Sequence, residues 1–176
     1  MIAIIDYGAG NIFSVKNALD YLGVENKLTA DKNEICAADE IILPGVGAFP
    51  WAMKMLRDSG LVDTIREEAR KKPFLGICLG MQLIFDKGYE FEETDGLRLI
   101  GGKVEKIDRK DMIIPHMGWN ELEINRDCPI LKGLPEHPYV YFVHSYAAVC
   151  DDANVSAYCD YGGKITALDH DGAYVY

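Results

Sequence analysis

Positive charge is scarce in this sequence. Its 176 residues carry 18 Lys and Arg against 28 Asp and Glu, a formal net charge of −10. Nucleic-acid binders gather Lys and Arg on one face to meet phosphates, so that class is excluded. Histidine is sparse too, at 4, and the 5 cysteines, Cys36, Cys78, Cys128, Cys150 and Cys159, form no CxxC pair. A zinc ribbon or finger has no ligand set to build on, and neither a metal nor a cofactor is expected. An odd, scattered set of thiols points to a reducing, cytoplasmic compartment rather than a disulfide framework. Long apolar runs are also missing. Met1–Ile5 meets Asp6 at once with no basic residue before it, which is too short for a signal peptide and far too short to cross a bilayer.

What is present is material for a core. The chain is 49% hydrophobic and 26% charged, a balance that excludes disorder. In the first half, short apolar runs alternate with helical patterns. Ile2–Ile5, Val24–Leu28, Ile41–Leu43 and Phe74–Ile77 read as strands. Asn11 is placed to cap a helix with the apolar face Ile12, Val15, Ala18, Leu19 and Leu22, which Gly23 stops. Further helices are expected around Trp51–Arg57, Leu61–Arg70 and Met81–Phe85. Fully apolar strands between helices imply an α/β fold, an open and mostly parallel sheet with helices on both faces. In the second half, Leu97–Ile100, Lys103–Ile107, Glu121–Ile124, Tyr139–Val143, Val155–Cys159, Lys164–Leu168 and Ala173–Tyr176 read as short strands between turns. They suggest an antiparallel β extension of the same sheet. With no linker and no repeat, residues 1–176 read as a single domain.

Two glycine motifs follow strands. Gly8-Ala9-Gly10 opens a helix, but a dinucleotide fingerprint needs a small residue three positions on, and Phe13 stands there. The stretch therefore reads as a tight strand-to-helix turn. Gly76-Ile77-Cys78-Leu79-Gly80 is sharper, with the spacing G-x-nucleophile-x-G between an apolar strand and a helix. A nucleophile on such a strained turn is exposed at the carboxyl end of the sheet. The following helix end favours a thiolate, and the Leu79 amide is the natural first oxyanion donor. A buried, inert cysteine is the competing reading, but packing gives little reason for glycines on both sides of it. Pro44-Gly45-Val46-Gly47 closes the neighbouring strand and offers a second donor from the Val46 or Gly47 amide, on a peptide whose glycines let it flip.

A cysteine hydrolase also needs a base. His137 sits in Pro135-Glu136-His137-Pro138, a solvated turn, and His170 at what reads as the hairpin tip Asp169-His170-Asp171-Gly172. His116 and His144 flank apolar strands, where core or interface histidines are the usual case. Local sequence leaves the base unassigned.

Five stretches in this order carry a family resemblance: Asp6-Tyr7-Gly8-Ala9-Gly10-Asn11, Pro44-Gly45-Val46-Gly47-Ala48-Phe49, Gly76-Ile77-Cys78-Leu79-Gly80-Met81-Gln82, Pro115-His116-Met117-Gly118-Trp119-Asn120 and Tyr141-Phe142-Val143-His144-Ser145-Tyr146. From Met1 to Tyr176 the sequence resembles the class I glutamine amidotransferases, and among them the glutaminase subunits of imidazole glycerol phosphate synthases. The elbow alone points to the class; the PGVG and PHMGWN stretches select the branch. The resemblance implies hydrolysis of L-glutamine to glutamate and ammonia. The ammonia would pass to a (β/α)₈-barrel cyclase subunit that makes imidazole glycerol phosphate and an aminoimidazole carboxamide ribotide in histidine biosynthesis. It further implies Cys78 as nucleophile, with Val46 and Leu79 as oxyanion amides. Gln82, Glu90, His144, Ser145 and Tyr146 would bind the substrate, and Asn11, Trp119 and Tyr141 would face the cyclase.

One departure bears on catalysis. The family's catalytic His and Glu lie in a His-Pro-Glu stretch just after the strand that matches Ala173–Tyr176, and no HxE occurs in this sequence. The expectation is a chain that continues past Tyr176. Three other readings compete: a stand-alone cysteine hydrolase, a catalytically incomplete subunit that binds and regulates a barrel partner, and an amidotransferase subunit that serves another acceptor such as a sugar nucleotide.

Overall fold

The computed structural model describes residues 1–171, 174 and 175. Four parallel strands form the first sheet: β1 (Ile2–Ile5), β2 (Asn26–Thr29), β3 (Glu40–Gly45) and β4 (Phe74–Cys78), in the order β2-β1-β3-β4. Helix α1 (Ile12–Tyr21) joins β1 to β2, and α2 (Lys32–Ala37) returns to β3. Helices α3 (Phe49–Asp58) and α4 (Val62–Glu68) lead to β4. The strand order reverses direction after β2, so right-handed crossovers put α1 on one face and the other three helices on the opposite face. The open parallel sheet covered on both sides is thus as the sequence suggests. Ala3, Ile4, Ile5, Ile41 and Leu43 are all buried, which is why these strands are apolar throughout rather than alternating.

The main core packs this sheet against Phe49, Met53, Leu56, Ile65 and, from the next segment, Leu83 and Phe85. After β4 a single turn, α5 (Leu79–Gln82), leads into β5 (Phe85–Gly88). The expected Met81–Phe85 helix does not form. Leu83, Ile84 and Phe85 are all fully buried, and three consecutive buried residues cannot share one helix face. Helix α2 was not expected, although Asp31 caps it by accepting from the Asn33 and Glu34 amides and Glu34 completes a recognisable start signal. Helix α1 is capped by Asn11 as expected, but it buries no residue, and Ala18 and Leu22 of its anticipated core face are exposed.

The antiparallel part is arranged differently from the expectation. Among the described residues it forms separate sheets rather than extending the first. Strands β6 (Thr94–Asp95), β7 (Ile100–Lys106) and β11 (Tyr146–Cys150) join β5 in the order β11-β7-β5-β6. Strands β8 (His116–Glu121) and β10 (Tyr139–His144) form a two-stranded ribbon. Strands β9 (Glu123–Ile124), β12 (Val155–Asp160), β13 (Lys164–Asp171) and β14 (Tyr174–Val175) make the last sheet. Leu97–Ile100 is not a strand of its own: Arg98 takes φ 56°, and the chain becomes extended only from Ile100, with a register shift against β5 at Gly101-Gly102, where Gly102 takes φ 141°. His170 lies within β13 rather than at a hairpin tip. Of the expected strand Ala173–Tyr176, Ala173 and Tyr176 lie outside the described residues. No helix among the described residues is long and apolar enough to cross a membrane.

Candidate active site

The site is built where β3 and β4 end side by side, with Gly45 paired to Cys78. Cys78 has φ 58° and ψ −116°, a left-handed conformation that a non-glycine residue adopts only when its surroundings force it. Two glycines make that possible. A Cβ on Gly80 would stand 1.8 Å from the Leu43 carbonyl oxygen, and one on Gly76 would stand 2.7 Å from the Met81 Cα. The turn is therefore folded tightly onto β3 and onto its own helix, and the chain has no route past Cys78 except this bend. The thiol is exposed, as the nucleophile geometry of such an elbow requires. Helix α5 is only one turn, so the electrostatic help expected from a helix end comes from a few amides rather than a long aligned dipole.

All eight residues assigned above to catalysis and substrate binding meet in one recess. Val46, Gly47, Cys78, Leu79, Gln82, Glu90, Pro115, His144, Ser145 and Tyr146 line a cavity of 350 Å³. A second opening of 410 Å³ reaches Cys78 from the side of β10 and β13, past Gly76, Tyr141, Phe142 and Leu168. Val46 is 52% exposed beside the elbow, and the next residue, Gly47, has φ 97°. Gln82 donates from Nε2 to the Tyr146 carbonyl at 3.0 Å. Glu90 accepts through Oε2 from the Phe49 amide, the first residue of α3, at 2.8 Å. Each of these two recess-lining side chains is thereby held at one end, with its second oxygen outside that bond. Tyr7, which local sequence did not single out, donates to the Pro44 carbonyl at 3.0 Å from beneath the loop. Burial first, and the neighbouring Cys78 second, push its phenol well above the ordinary range.

His144 lines both openings, yet neither of its ring nitrogens is free. Nδ1 is 2.9 Å from the Tyr146 carbonyl and Nε2 is 3.0 Å from His116 Nδ1. Burial holds its pKa below the ordinary histidine value; the bond to Tyr146 opposes that shift and the charge of His116 adds to it. His116 is fully buried. His137 is exposed and hydrogen-bonded to Glu121, the solvated setting expected of it. His170's side chain lies outside the described residues. Among the described residues, then, no histidine presents an unoccupied ring nitrogen to Cys78. No group of three or more His, Cys, Asp or Glu among them is placed to hold a metal ion.

The other thiols differ from Cys78. Cys128 and Cys159 are buried, and burial raises Cys159 to about 11. Cys150 is raised further, first by burial and then by Asp169. Cys36 is exposed on α2, away from any recess named here. On the ribbon, Trp119 and Tyr141 are paired across β8 and β10 and meet edge to face at 5.6 Å. They are 68% and 53% exposed. Asn11 is exposed at the start of α1, with no described contact to that pair.

Residues 3–176 match the family described as glutamine amidotransferase class-I. A Bacillus cereus (strain G9842) protein named imidazole glycerol phosphate synthase subunit HisH is 50% identical over 166 residues, covering 94% of this chain and 79% of its own length. A Bacillus thuringiensis (strain Al Hakam) protein of the same name is 49% identical over the same shares. Among solved structures, a crystal structure of a glutamine amidotransferase superposes with a TM-score of 0.76 at 20% identity, over 99% of this chain and 87% of that one. A structure of PurLQS from Thermotoga maritima gives 0.69 at 21% identity, over 99% and 84%. At these identities the two structures speak for the fold alone.

Proposed function

This chain belongs to the class-I glutamine amidotransferase family, and from that premise we propose that it is the glutaminase subunit of an imidazole glycerol phosphate synthase. Cys78 attacks the side-chain carboxamide carbon of L-glutamine. The oxyanion that forms is met by the backbone amides of Leu79, which follows the nucleophile, and Val46, on the loop paired beside it. The thiol's proton, carried by the general base, passes to the amide nitrogen, which leaves as ammonia, and water then cleaves the thioester to release glutamate and restore the thiol. Gln82 and Glu90 hold the amino-acid end of the substrate through their remaining oxygens, against the wall His144-Ser145-Tyr146. The observation that carries this reading is the gathering of a strained, exposed Cys78 with all of these residues in one recess.

The partner is a (β/α)₈-barrel cyclase, which consumes the ammonia to form imidazole glycerol phosphate and an aminoimidazole carboxamide ribotide. The exposed Trp119–Tyr141 pair on the ribbon is the best-suited partner surface, and the family resemblance adds Asn11, exposed at the start of α1. The general base is a histidine from outside the described residues, since His116 and His144 are occupied by each other and by their backbone and Asn120 partners. Two measurements test the function. A glutamine-like electrophile should label Cys78 and leave Cys36, which is exposed too, untouched. With the cyclase present, in a chain carrying the family's His-Pro-Glu segment after Tyr176, Cys78→Ala should lower glutamate release by on the order of 10⁴–10⁶. Equal labelling of both thiols, or glutamate release that survives the substitution, refutes the assignment.

A further inference from the structure

The loop that offers the Val46 amide is held at both ends and open in the middle. Burial changes residue by residue along it: Pro44 and Gly45 are buried, Val46 and Gly47 are exposed, Ala48 is half-buried and Phe49 is buried again. At the far end the Phe49 amide donates to Glu90 Oε2 at 2.8 Å, and the Phe49 ring packs so closely that a Cβ on Gly88 would stand 2.5 Å from it. In the middle Gly47 takes φ 97°, and a Cβ placed on it would meet nothing within 4 Å. The middle has room to move, and the ends do not.

The near end depends on Tyr7. The pairing of β3 with β1 stops at Ile42 with Ile4, and Pro44 extends past it. The amide of Asp6, where β1 has ended, turns to the opposite flank and donates to the Thr29 carbonyl at 2.9 Å. The ladder thus brings no β1 amide to the Pro44 carbonyl, and a buried carbonyl without a donor is costly. The Tyr7 hydroxyl takes that place and donates at 3.0 Å. On the other flank Gly45 pairs with Cys78, and a Cβ on Gly45 would stand 2.6 Å from the Gly80 amide nitrogen. Gly10 closes over the proline, where a Cβ would stand 3.2 Å from the Pro44 Cβ. Tyr7 is 5% exposed and belongs to the same core as Phe49 and Leu79, so its phenol is a rigid anchor. Burial first, and Cys78 second, hold that phenol well above the ordinary range, so it keeps the hydrogen it donates at neutral and mildly alkaline pH.

We propose that Tyr7 is a positioning residue for the oxyanion hole, its hydroxyl pinning the Pro44 carbonyl and with it the plane from which the Val46 N–H turns toward the oxyanion. The Pro44 carbonyl belongs to the peptide just before the one that bears the Val46 N–H. The Gly45 Cα is the joint between the two, and glycine gives that joint the widest freedom of any residue. Fixing the first peptide leaves the second to turn about a stationary base. Tyr7 does not line the recess and acts through the loop. The role rests on the glutaminase reading, in which the Val46 amide meets the oxyanion.

Tyr7→Phe keeps the ring in the core and removes only the hydroxyl. In a chain carrying the His-Pro-Glu segment, with the cyclase present, kcat for glutamate release should fall about tenfold, part of the factor on the order of 10²–10³ that one whole oxyanion donor carries. KM for glutamine should stay within about twofold, because the oxyanion forms only after the substrate is bound. Alkylation of Cys78 by iodoacetamide, which forms no oxyanion, should keep its rate. An unchanged kcat overturns the proposal. A fall in kcat matched by slower alkylation or by a raised KM overturns it too, since the elbow or the recess has then shifted instead of the loop. Absence of glutamate release from the unsubstituted complex would defeat the glutaminase reading itself, and it is seen before any variant is compared. The anchor is also read without turnover. With tyrosine carbon-13 labelled at Cζ, in a mixture of H2O and D2O, a slowly exchanging hydroxyl gives separate protonated and deuterated signals. Tyr7 should give both in the unsubstituted protein. A single averaged line would show a hydroxyl free to exchange, and would overturn the proposal even if Tyr7→Phe fails to fold.

Discussion

Cys78 holds a conformation that costs the fold stability, and the cost can be read by replacing it twice. Its φ of 58° and ψ of −116° belong to the sparsely populated conformations that cost ~1–3 kcal/mol for a residue with a Cβ. Cys78→Ala removes the thiol and keeps the Cβ, so it keeps the strain. Cys78→Gly removes both. Glycine lowers that strain but gains freedom in the unfolded chain, which costs ~0.4–1 kcal/mol against alanine. The side chain is exposed, so burial hardly enters the comparison. The glycine variant should therefore be the more stable of the two by ~1 kcal/mol, or ~2–4 °C in Tm for a domain of this size. At an ordinary strand position the sign is opposite, with glycine the poorer residue by ~0.5–1 kcal/mol. Denaturant unfolding of the two variants measures the difference at equal slope. A glycine variant less stable than the alanine variant would refute the claim that the elbow is strained, and with it the idea that the fold gives up stability to present this thiol.

Three further outcomes follow from named contacts. Gly80→Ala sets a Cβ against the Leu43 carbonyl at 1.8 Å, backbone against backbone with nothing flexible to yield; a loss of ~4 kcal/mol or more is expected, seen as a Tm drop or loss of soluble protein, and a Tm within a degree of the parent would count against the packing described. Asp169 is fully buried, accepts from the Cys150 thiol at 3.1 Å, and is pushed by burial to about 6. Its folded value lies above its unfolded one, so the native state binds the proton more tightly and stability falls as pH rises from about 4 to about 6, by ~2–3 kcal/mol. Asp169→Asn should flatten that part of the stability–pH curve, and an unchanged curve would show that Asp169 is ionised at no cost. Finally, the polypeptide 1–176 should alkylate at Cys78 yet release negligible glutamate even with the cyclase, because both nitrogens of His144 are engaged; near-normal turnover would make His144 or His170 the base.

The site residues legible in the sequence are those whose role is set within a few positions along the chain. The elbow is local: a glycine two residues to either side of Cys78 announces a bend that only close backbone packing requires. The apolar runs of β1 and β3 are local in the same sense, since burial on both faces leaves no polar position to alternate. By contrast, β8 carries Gly118 and Asn120 in its middle, and no periodicity marks it as a strand until β10 lies beside it. Strand β11 follows β10 with only Ser145 between them, so the corner that shapes the recess has no turn signature. Met81–Phe85 misleads for a related reason, because the apolar run Leu83-Ile84-Phe85 that ends it does not distinguish a helix from a strand covered on both faces. His116 is the clearest case. Its ring is stacked between Phe142 and Tyr161, 26 and 45 positions away, and its nitrogens meet His144 and Asn120. A Pro-His-Met-Gly stretch holds none of that. The nucleophile is written into its own neighbourhood because a strained turn must be built from adjacent residues. The histidine pair behind its pocket is an assembly of distant residues, and it forms only when β8 and β10 pair.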